Sequence, residues 1–152
     1  MKQVPQRAAL AVAALVGALL TAPVHAAPDA VAAAAAKEPG ALVTASGLVY
    51  RSLKDGTGAS PGAADKVKVH YRGTFPDGKE FDSSYKRNEA IEFSLNGVIK
   101  CWTEGVQRMK VGGKAKLTCP ASIAYGERGA GGVIPPNATL LFEVELLAIN
   151  GK

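Results

Sequence analysis

The chain has few of the residues on which metal-dependent and nucleophilic catalysis depend. Its 152 residues include two cysteines, two histidines and one tryptophan. One histidine, His25, lies in an N-terminal segment predicted below to be removed, and the other, His70, is predicted on the solvent side of a strand. A Ser or Cys nucleophile therefore lacks a His base in the pattern. No His and Cys cluster has zinc spacing either. The sequence predicts no metal site and no cofactor.

The chain also lacks the signals of nucleic-acid and nucleotide binding. Its 18 Lys and Arg face 13 Asp and Glu, for a net charge of +5. The bases are spread among acids, with no Arg-rich or aromatic-interleaved patch, which indicates an ordinary solvated surface. Gly112-Gly113-Lys114 is followed by Ala115, where a phosphate-binding loop requires Ser or Thr. We therefore expect no nucleic-acid partner.

No apolar run is long enough to cross a bilayer, which needs about 20 residues. The N-terminus instead has Lys2 and Arg7, an uncharged run from Ala8 to Leu20, and Val24-His25-Ala26. This is the layout of a secretory signal peptide over residues 1–26, and no Cys follows it to accept a lipid. We expect cleavage after Ala26, which removes two bases and leaves a net charge of +3. The alternative is an uncleaved membrane anchor.

Residues 27–46 are rich in alanine, with Ala32 to Ala36 uninterrupted and Pro39-Gly40 near the end. Alanine favours helix, but isolated helices shorter than about 12 to 15 residues are marginal in water. We predict a flexible tether over this segment. Residues 47–152 are then sufficient for one small domain with a single core.

Hydrophobic periodicity in residues 47–152 indicates strands and one helix. Apolar residues alternate in two segments, at Val67, Val69 and Tyr71 and at Leu140, Phe142, Val144, Leu146 and Ala148. Gly47 to Leu53 and Lys114 to Cys119 are further strand candidates. Trp102, Val106 and Met109 lie on one face of a short helix, which Gly112-Gly113 is predicted to end. The pattern indicates an α+β domain.

Four motifs occur in a fixed order in this domain. They are Phe81-Asp82-Ser83-Ser84, Val98-Ile99 with Trp102 and Gly105, Ala124-Tyr125-Gly126, and Ile134-Pro135-Pro136 with Ala138-Thr139-Leu140. In order and spacing they resemble the FKBP-type peptidyl-prolyl cis-trans isomerases, from about Gly47 to Ile149. The resemblance implies a strongly twisted antiparallel sheet, a half-barrel, wrapped around one short helix.

The resemblance also implies a pocket that holds a proline. Trp102 would form its floor, with Tyr71, Phe81 and Phe142 as walls and Val98, Ile99 and Ile134 beside the proline ring. The Tyr125 hydroxyl and the backbone N–H of Ile99 would each donate to a substrate carbonyl. Asp82 would lie at the edge, hydrogen-bonded to Tyr71 or near the substrate amide, with Arg87 as its charge partner.

Two positions depart from the family pattern. Ile91 stands where many relatives have Phe, and Ala130 stands where eukaryotic members often have His. By resemblance both positions touch residues that flank the proline. They therefore bear on substrate preference and on affinity for macrolide inhibitors such as tacrolimus and rapamycin, which the resemblance implies as ligands.

The resemblance places Cys101 and Cys119 on neighbouring elements, and export would put them in an oxidising compartment. We hypothesise an intramolecular disulfide, the alternative being two small buried hydrophobic side chains. Some exported relatives carry a long helical dimerisation arm at the position of the tether. The twenty or so residues available here disfavour such an arm.

The sequence thus predicts an exported peptidyl-prolyl isomerase that acts on proline-containing polypeptides, unfolded or partly folded. The second hypothesis is a non-catalytic chaperone or peptide-binding module that uses the same apolar cleft. The periplasm is the expected location, and a eukaryotic secretory lumen is the alternative. In that lumen Asn137-Ala138-Thr139 would match a glycosylation acceptor, although its place inside a motif favours a structural role.

Overall fold

The structure is a computed structural model and describes residues 29–150. In chain order its helices and strands are α1 (Ala30–Ala36), β1 (Ala41–Val43), β2 (Val49–Lys54), β3 (Lys66–Thr74), β4 (Glu80–Ser83), α2 (Ser84–Arg87), β5 (Ile91–Ser94), α3 (Lys100–Gln107), β6 (Lys114–Cys119) and β7 (Leu140–Ile149). Short 3₁₀ turns cover Leu95–Gly97 and Ala121–Ile123. The predicted signal peptide, residues 1–26, lies outside the described residues.

The strands form one antiparallel seven-stranded sheet in the order β1-β2-β6-β7-β3-β4, with β5 also paired to β3. The sheet does not close into a barrel, which agrees with the expected half-barrel. Its core face carries the alternating residues of the two long strands, such as Val69 opposite Leu146 and Tyr71 opposite Val144. The α+β prediction is confirmed.

Helix α3 packs on this core face through Cys101, Trp102, Gly105 and Val106. A Cβ atom at Gly105 would lie 2.8 Å from a methyl carbon of Leu117 on β6, so a residue without a side chain lets helix and sheet approach closely. This contact holds α3 directly against β6.

The end of α3 differs from the prediction. The helix ends at Gln107, and Met109 is buried beyond it, with its N–H donating to the Val106 carbonyl at 3.0 Å. Gly112, with φ +94°, lies instead in the turn that leads to β6. In this turn the chain passes so close to Gly56 that a Cβ on Gly113 would lie 2.9 Å from the Gly56 nitrogen.

A register shift in β7 also changes one predicted core position. The pairing of β3 with β7 shifts between Lys68 and Val69, so that Lys68 pairs with Ala148. As a result Ile149 is buried, whereas Ala148, predicted on the core face, is only half-buried. Strict alternation does not continue through a bulge.

The segment predicted as a tether is partly incorporated in the domain. β1 pairs with β2, and the Arg51 guanidinium donates to the Pro39 carbonyl at 2.9 Å. The Lys116 ammonium lies 2.9 Å from the Glu38 carboxylate. The predicted domain start at residue 47 therefore falls within a β-hairpin, because backbone pairing of a three-residue strand leaves little trace in hydrophobic periodicity.

Candidate functional site

A largely apolar cavity of about 500 Å³ opens between the start of α3 and the core face of the sheet. Eight of the residues predicted from the sequence line it: Tyr71, Phe81, Asp82, Val98, Ile99, Trp102, Tyr125 and Phe142. The remaining lining residues are Phe93 and Gly97. The size suits one ring-shaped side chain and its neighbouring backbone.

Trp102 forms the buried end of this cavity. It is the third residue of α3 and is only 4 % exposed. Its ring meets Tyr71, Phe93 and Phe142 edge-to-face, at centroid distances of 5.3, 5.2 and 5.4 Å. Such perpendicular arrangements are favourable between aromatic rings and fix their orientation. Among the described residues nothing hydrogen-bonds the buried indole N–H of Trp102.

Phe81 and Phe142 form a second edge-to-face pair, with centroids 5.6 Å apart. Phe142 lies on β7 opposite Gly73 of β3, and Phe81 lies on the adjacent β4. A Cβ atom at Gly73 would lie 2.5 Å from Phe81 and 3.0 Å from Phe142. The two rings therefore occupy space that any other residue at position 73 would fill.

A hydrogen-bonded triad closes one edge of the cavity. The Tyr71 hydroxyl donates to Oδ2 of Asp82, and Nη1 of Arg87 donates to Oδ1 at 2.6 Å. Nη2 of Arg87 also donates to the Tyr71 hydroxyl at 3.2 Å. Arg87 reaches Asp82 because the single turn α2 intervenes, with Asn88 ending that turn in the left-handed region at φ 56°.

The triad fixes the charge of its members. Burial raises the pKa of Asp82, but hydrogen bonds from Tyr71 and Arg87, and the guanidinium charge, outweigh it and hold this pKa below the ordinary value. Burial and then the bond to Asp82 raise the pKa of Tyr71. Asp82 is therefore an ionised acceptor at neutral pH, and Tyr71 is a neutral donor.

Tyr125 and Ile99 lie at the mouth of the cavity with unused donors. Tyr125 is 39 % exposed, and within residues 29–150 its hydroxyl makes no hydrogen bond. In the same range no carbonyl accepts from the N–H of Ile99, which precedes the first turn of α3. The loop after Tyr125 is fixed by a bond from the Asn137 N–H to the Gly126 carbonyl at 2.8 Å.

The comparisons with known proteins identify the family. A sequence-family model for FKBP-type peptidyl-prolyl cis-trans isomerases matches residues 58–147, more than half of the chain. The chain belongs to the FKBP-type family. An FKBP-type isomerase, FkpA, of Aeromonas hydrophila is 59 % identical over 117 residues, which are 77 % of this chain and 43 % of that protein. An FKBP-type 22 kDa isomerase of Escherichia coli is 54 % identical over 114 residues, 75 % of this chain and 55 % of that one.

Solved FKBP-type structures have the same fold. The crystal structure of FkpA from Escherichia coli matches with a TM-score of 0.75 and 49 % identity, and covers 78 % of this chain and 55 % of that one. A peptidyl-prolyl isomerase of Pseudomonas syringae matches with a TM-score of 0.73 and 40 % identity over 78 % of this chain and 87 % of that one. The chain spans about half the length of the curated relatives it matches.

Arg87 is the charge partner of Asp82, as the FKBP resemblance implied, and contacts the cavity only through Asp82 and Tyr71. Two other residues that the resemblance placed at the cavity do not line it. Ile91 is half-buried on β5 opposite Val69, and Ile134 is 6 % exposed and packs into the core.

Phe93 occupies a wall that the FKBP resemblance did not assign. It alternates with Ile91 along β5, and this two-residue spacing was the available signal. Its ring stacks edge-to-face on both Tyr71 and Trp102. Many FKBP relatives have a Phe at the position of Ile91. In this chain Phe93, two residues later, supplies an aromatic wall.

Cys101 and Cys119 are joined by a disulfide, with Cα atoms 5.7 Å apart. The bond connects the first turn of α3, beside Trp102, to the end of β6, and both cysteines are fully buried. The predicted pairing is confirmed.

No helix in the part of the chain that the structure describes is both long enough and apolar enough to span a bilayer. Across residues 29–150 no three His, Cys, Asp or Glu side chains converge in a way that would hold a metal ion.

Proposed function

We propose that this chain is a peptidyl-prolyl cis-trans isomerase that acts on X-Pro bonds of exported, unfolded or partly folded polypeptides. The observation that carries the proposal is the aromatic cavity over Trp102 with two unused donors at its mouth. Slow X-Pro isomerisation can limit the rate of folding, so such an activity assists folding.

The chemistry needs neither an acid nor a base. Rotation about the amide crosses about 18–20 kcal/mol because the C–N bond has double-bond character. Water favours the charge-separated planar form, so an apolar cavity weakens that resonance and binds the less polar, twisted amide better. Lowering the barrier by about 5 kcal/mol would raise the rate by roughly four decades.

The remaining side chains have positioning roles in this proposal. Trp102 supports the proline ring, and the aromatic walls exclude water. The Tyr125 hydroxyl and the Ile99 N–H donate to substrate carbonyls on either side of the rotating bond. Asp82, held by Arg87, keeps the Tyr71 ring in place at the edge of the cavity.

A protease-coupled assay with a short X-Pro peptide tests this function. We expect kcat/KM to fall about three- to tenfold in Tyr125→Phe, the effect of one lost hydrogen bond, and more in Trp102→Leu. Tyr85→Phe is the matched control, since Tyr85 is 40 % exposed and donates to Glu145 at 3.0 Å, outside the cavity. Equal rates in all folded variants would contradict the proposal.

A second function, holding of partly folded chains without turnover, is favoured by one surface. An open groove of about 630 Å³ beside the cavity is lined by Phe75, Pro135 and Val133, and Val133 is 56 % exposed. Suppression of aggregation that survives Trp102→Leu but is lost in Val133→Ser would assign holding activity to this groove. Loss in Trp102→Leu alone would assign it to the cavity.

We also propose that macrolides such as tacrolimus and rapamycin bind in the cavity. Ile91 and Ala130 replace larger side chains found in many relatives, so we expect weaker binding than in eukaryotic members. Calorimetric titration of Ala130→His measures this: tighter binding than wild type is expected, and unchanged affinity would remove position 130 from the account.

The proposed domain organisation is a signal peptide over 1–26 and an isomerase domain that begins before residue 47, since its sheet includes β1. It implies export, with the periplasm as the proposed location.

A further inference from the structure

Val98 separates two concave surfaces. One side of it lines the aromatic cavity, and it also lines an open groove of about 800 Å³ along the solvent-facing side of α3. Lys100, Thr103 and Gln107 of α3 form one wall of this groove, and Ile123 contributes to another. Because the two surfaces share Val98, the groove directly adjoins the cavity.

The length of the groove matches a short extended peptide. Lys100 and Gln107 are seven residues apart on the helix, which is about 10 Å at 1.5 Å per residue. An extended chain advances about 3.3 Å per residue. The groove therefore accommodates about three residues adjoining the proline.

The lining of the groove suits polypeptide backbone. The Gln107 amide nitrogen donates to the Thr103 carbonyl at 2.7 Å, which leaves the side-chain oxygen of Gln107 as an acceptor. Ile123 is 7 % exposed and offers a small apolar contact. The groove thus offers a peptide both a hydrogen-bond acceptor and an apolar contact.

The groove also carries one uncompensated charge at the end nearest the cavity. The Glu104 carboxylate accepts from the Ser46 hydroxyl and lies 3.8 Å from the Arg108 guanidinium, so these two charges balance. Lys100 is exposed and follows Ile99 directly, and it has no ion pair with any residue of the described part of the chain.

We propose that this groove is an extended subsite for the polypeptide substrate, in which Lys100 favours an acidic side chain close to the proline. The proposal rests on the proposed isomerase function and adds a substrate preference to it. In this proposal the groove contacts about three substrate residues on one side of the proline.

Peptide extension tests the proposal. The probes are a short X-Pro peptide and peptides extended by three residues on either side of it, with Glu or with Lys in the added positions. The assay is run at low ionic strength, where screening is weak. For extension on one side of the proline, we expect wild-type kcat/KM to be about two- to fivefold higher for the Glu peptide than for the Lys peptide. This is the range expected of an exposed ion pair. In Lys100→Glu this ratio, measured within the variant, should invert.

Lys68→Glu is the matched control. It makes the same change in net charge, but Lys68 is exposed and points away from the face of the sheet on which α3 packs. The wild-type ratio should persist in this control. Two results would overturn the subsite. One is a wild-type Glu-to-Lys ratio of kcat/KM near one for extension on either side of the proline, and the other is an equal change of this ratio in Lys100→Glu and Lys68→Glu.

Failure of the isomerase function would look different, since the wild type would then accelerate none of the peptides. The subsite is still measured in that case by fluorescence of Trp102, the only tryptophan, during titration with the extended peptides. Tighter binding of the Glu peptide that inverts in Lys100→Glu supports the subsite, and equal affinities overturn it.

Discussion

Single residues decide the shape of the aromatic cavity, and Gly73 shows this by having no side chain. Phe81 and Phe142 lie against its Cα hydrogens, and a Cβ atom would approach them to within 2.5 and 3.0 Å. Closely packed interiors cannot absorb an added carbon without displacing a neighbour. The wall of the cavity therefore depends on a residue that does not itself line it.

Gly73→Ala tests this dependence. We expect a loss of about 1–3 kcal/mol in the free energy of unfolding from overpacking, with a fall in kcat/KM as the two rings move. Urea unfolding and the peptide assay measure the two effects. Gly131→Ala is the control, because nothing lies within 4 Å of a Cβ there. Wild-type stability and rate in Gly73→Ala would mean that the rings have room to spare.

The Asp82 carboxylate is a second residue with a measurable signature. The pKa of Asp82 is lower in the folded protein than in the unfolded chain, where an Asp carboxyl has a pKa of about 3.9. The stabilisation that this shift provides is therefore complete above the unfolded pKa and is lost as the pH falls through the folded one.

We expect the wild type to be more stable than Asp82→Asn at pH 7 and the difference to shrink below about pH 4, near the ordinary carboxyl pKa. Urea unfolding of both proteins from pH 7 to pH 2 measures it. A difference that does not vary with pH would show that the triad has no electrostatic role.

Most of the residues that line the cavity could be predicted from the sequence. The lining residues that were not predicted have a physical explanation. Motif order located Trp102 and Tyr125. It placed Ile91 and Ile134 at the cavity by analogy, whereas Phe93 and Gly97 line it. Which side chain on a short strand reaches a cavity depends on strand pairing, and four-residue β5 has too few positions to reveal its pairing in advance.

At the scale of elements, α3 and the sheet are held together by the disulfide between Cys101 and Cys119 as well as by packing. The bond closes a separation of 18 residues directly beneath the residue that forms the cavity floor. Constraining the unfolded chain in this way stabilises the fold, by about 3 kcal/mol in the chain-entropy model.

Replacement of both cysteines by serine should lower the free energy of unfolding by about 3 kcal/mol. Reduction of the wild type should have a similar effect, and calorimetry with and without reductant compares the two. An unfolding temperature of the wild type that is insensitive to reductant, together with two titratable thiols in the unreduced denatured protein, would exclude the bond in solution.

The long strands could be predicted from alternation because one face of each is buried. The sequence did not indicate β1 and β4 as strands, since three or four residues show no usable period. The bulge that buries Ile149 in place of Ala148 arises from pairing with β3, a partner far away in sequence. The turn after α3 likewise brings together Gly56 and Gly113, which are far apart in sequence.

At the scale of the whole molecule, the domain is about half the length of the curated relatives that it matches. The family assignment nevertheless rests on the domain that contains the cavity, since the matched range 58–147 includes every residue that lines it. The predicted signal peptide over residues 1–26 concerns the location of the protein in the cell and not its family.

Processing of the N-terminus is the prediction at this scale. Mass spectrometry of the protein recovered from a periplasmic fraction should find a chain that begins at Ala27. Recovery of intact Met1 from the membrane fraction would favour the uncleaved anchor.

The central claim, that the aromatic cavity turns over X-Pro bonds, is tested most directly by exchange NMR of a short X-Pro peptide, which needs no coupled protease. Without a catalyst the two isomers interconvert in about 10–100 s at 25 °C. We predict that a small molar fraction of the wild-type protein brings the exchange into the subsecond range. The folded Trp102→Leu, Tyr125→Phe double variant should lose most of this acceleration. Exchange at the uncatalysed rate with folded wild-type protein, over several residues before the proline, would contradict the account.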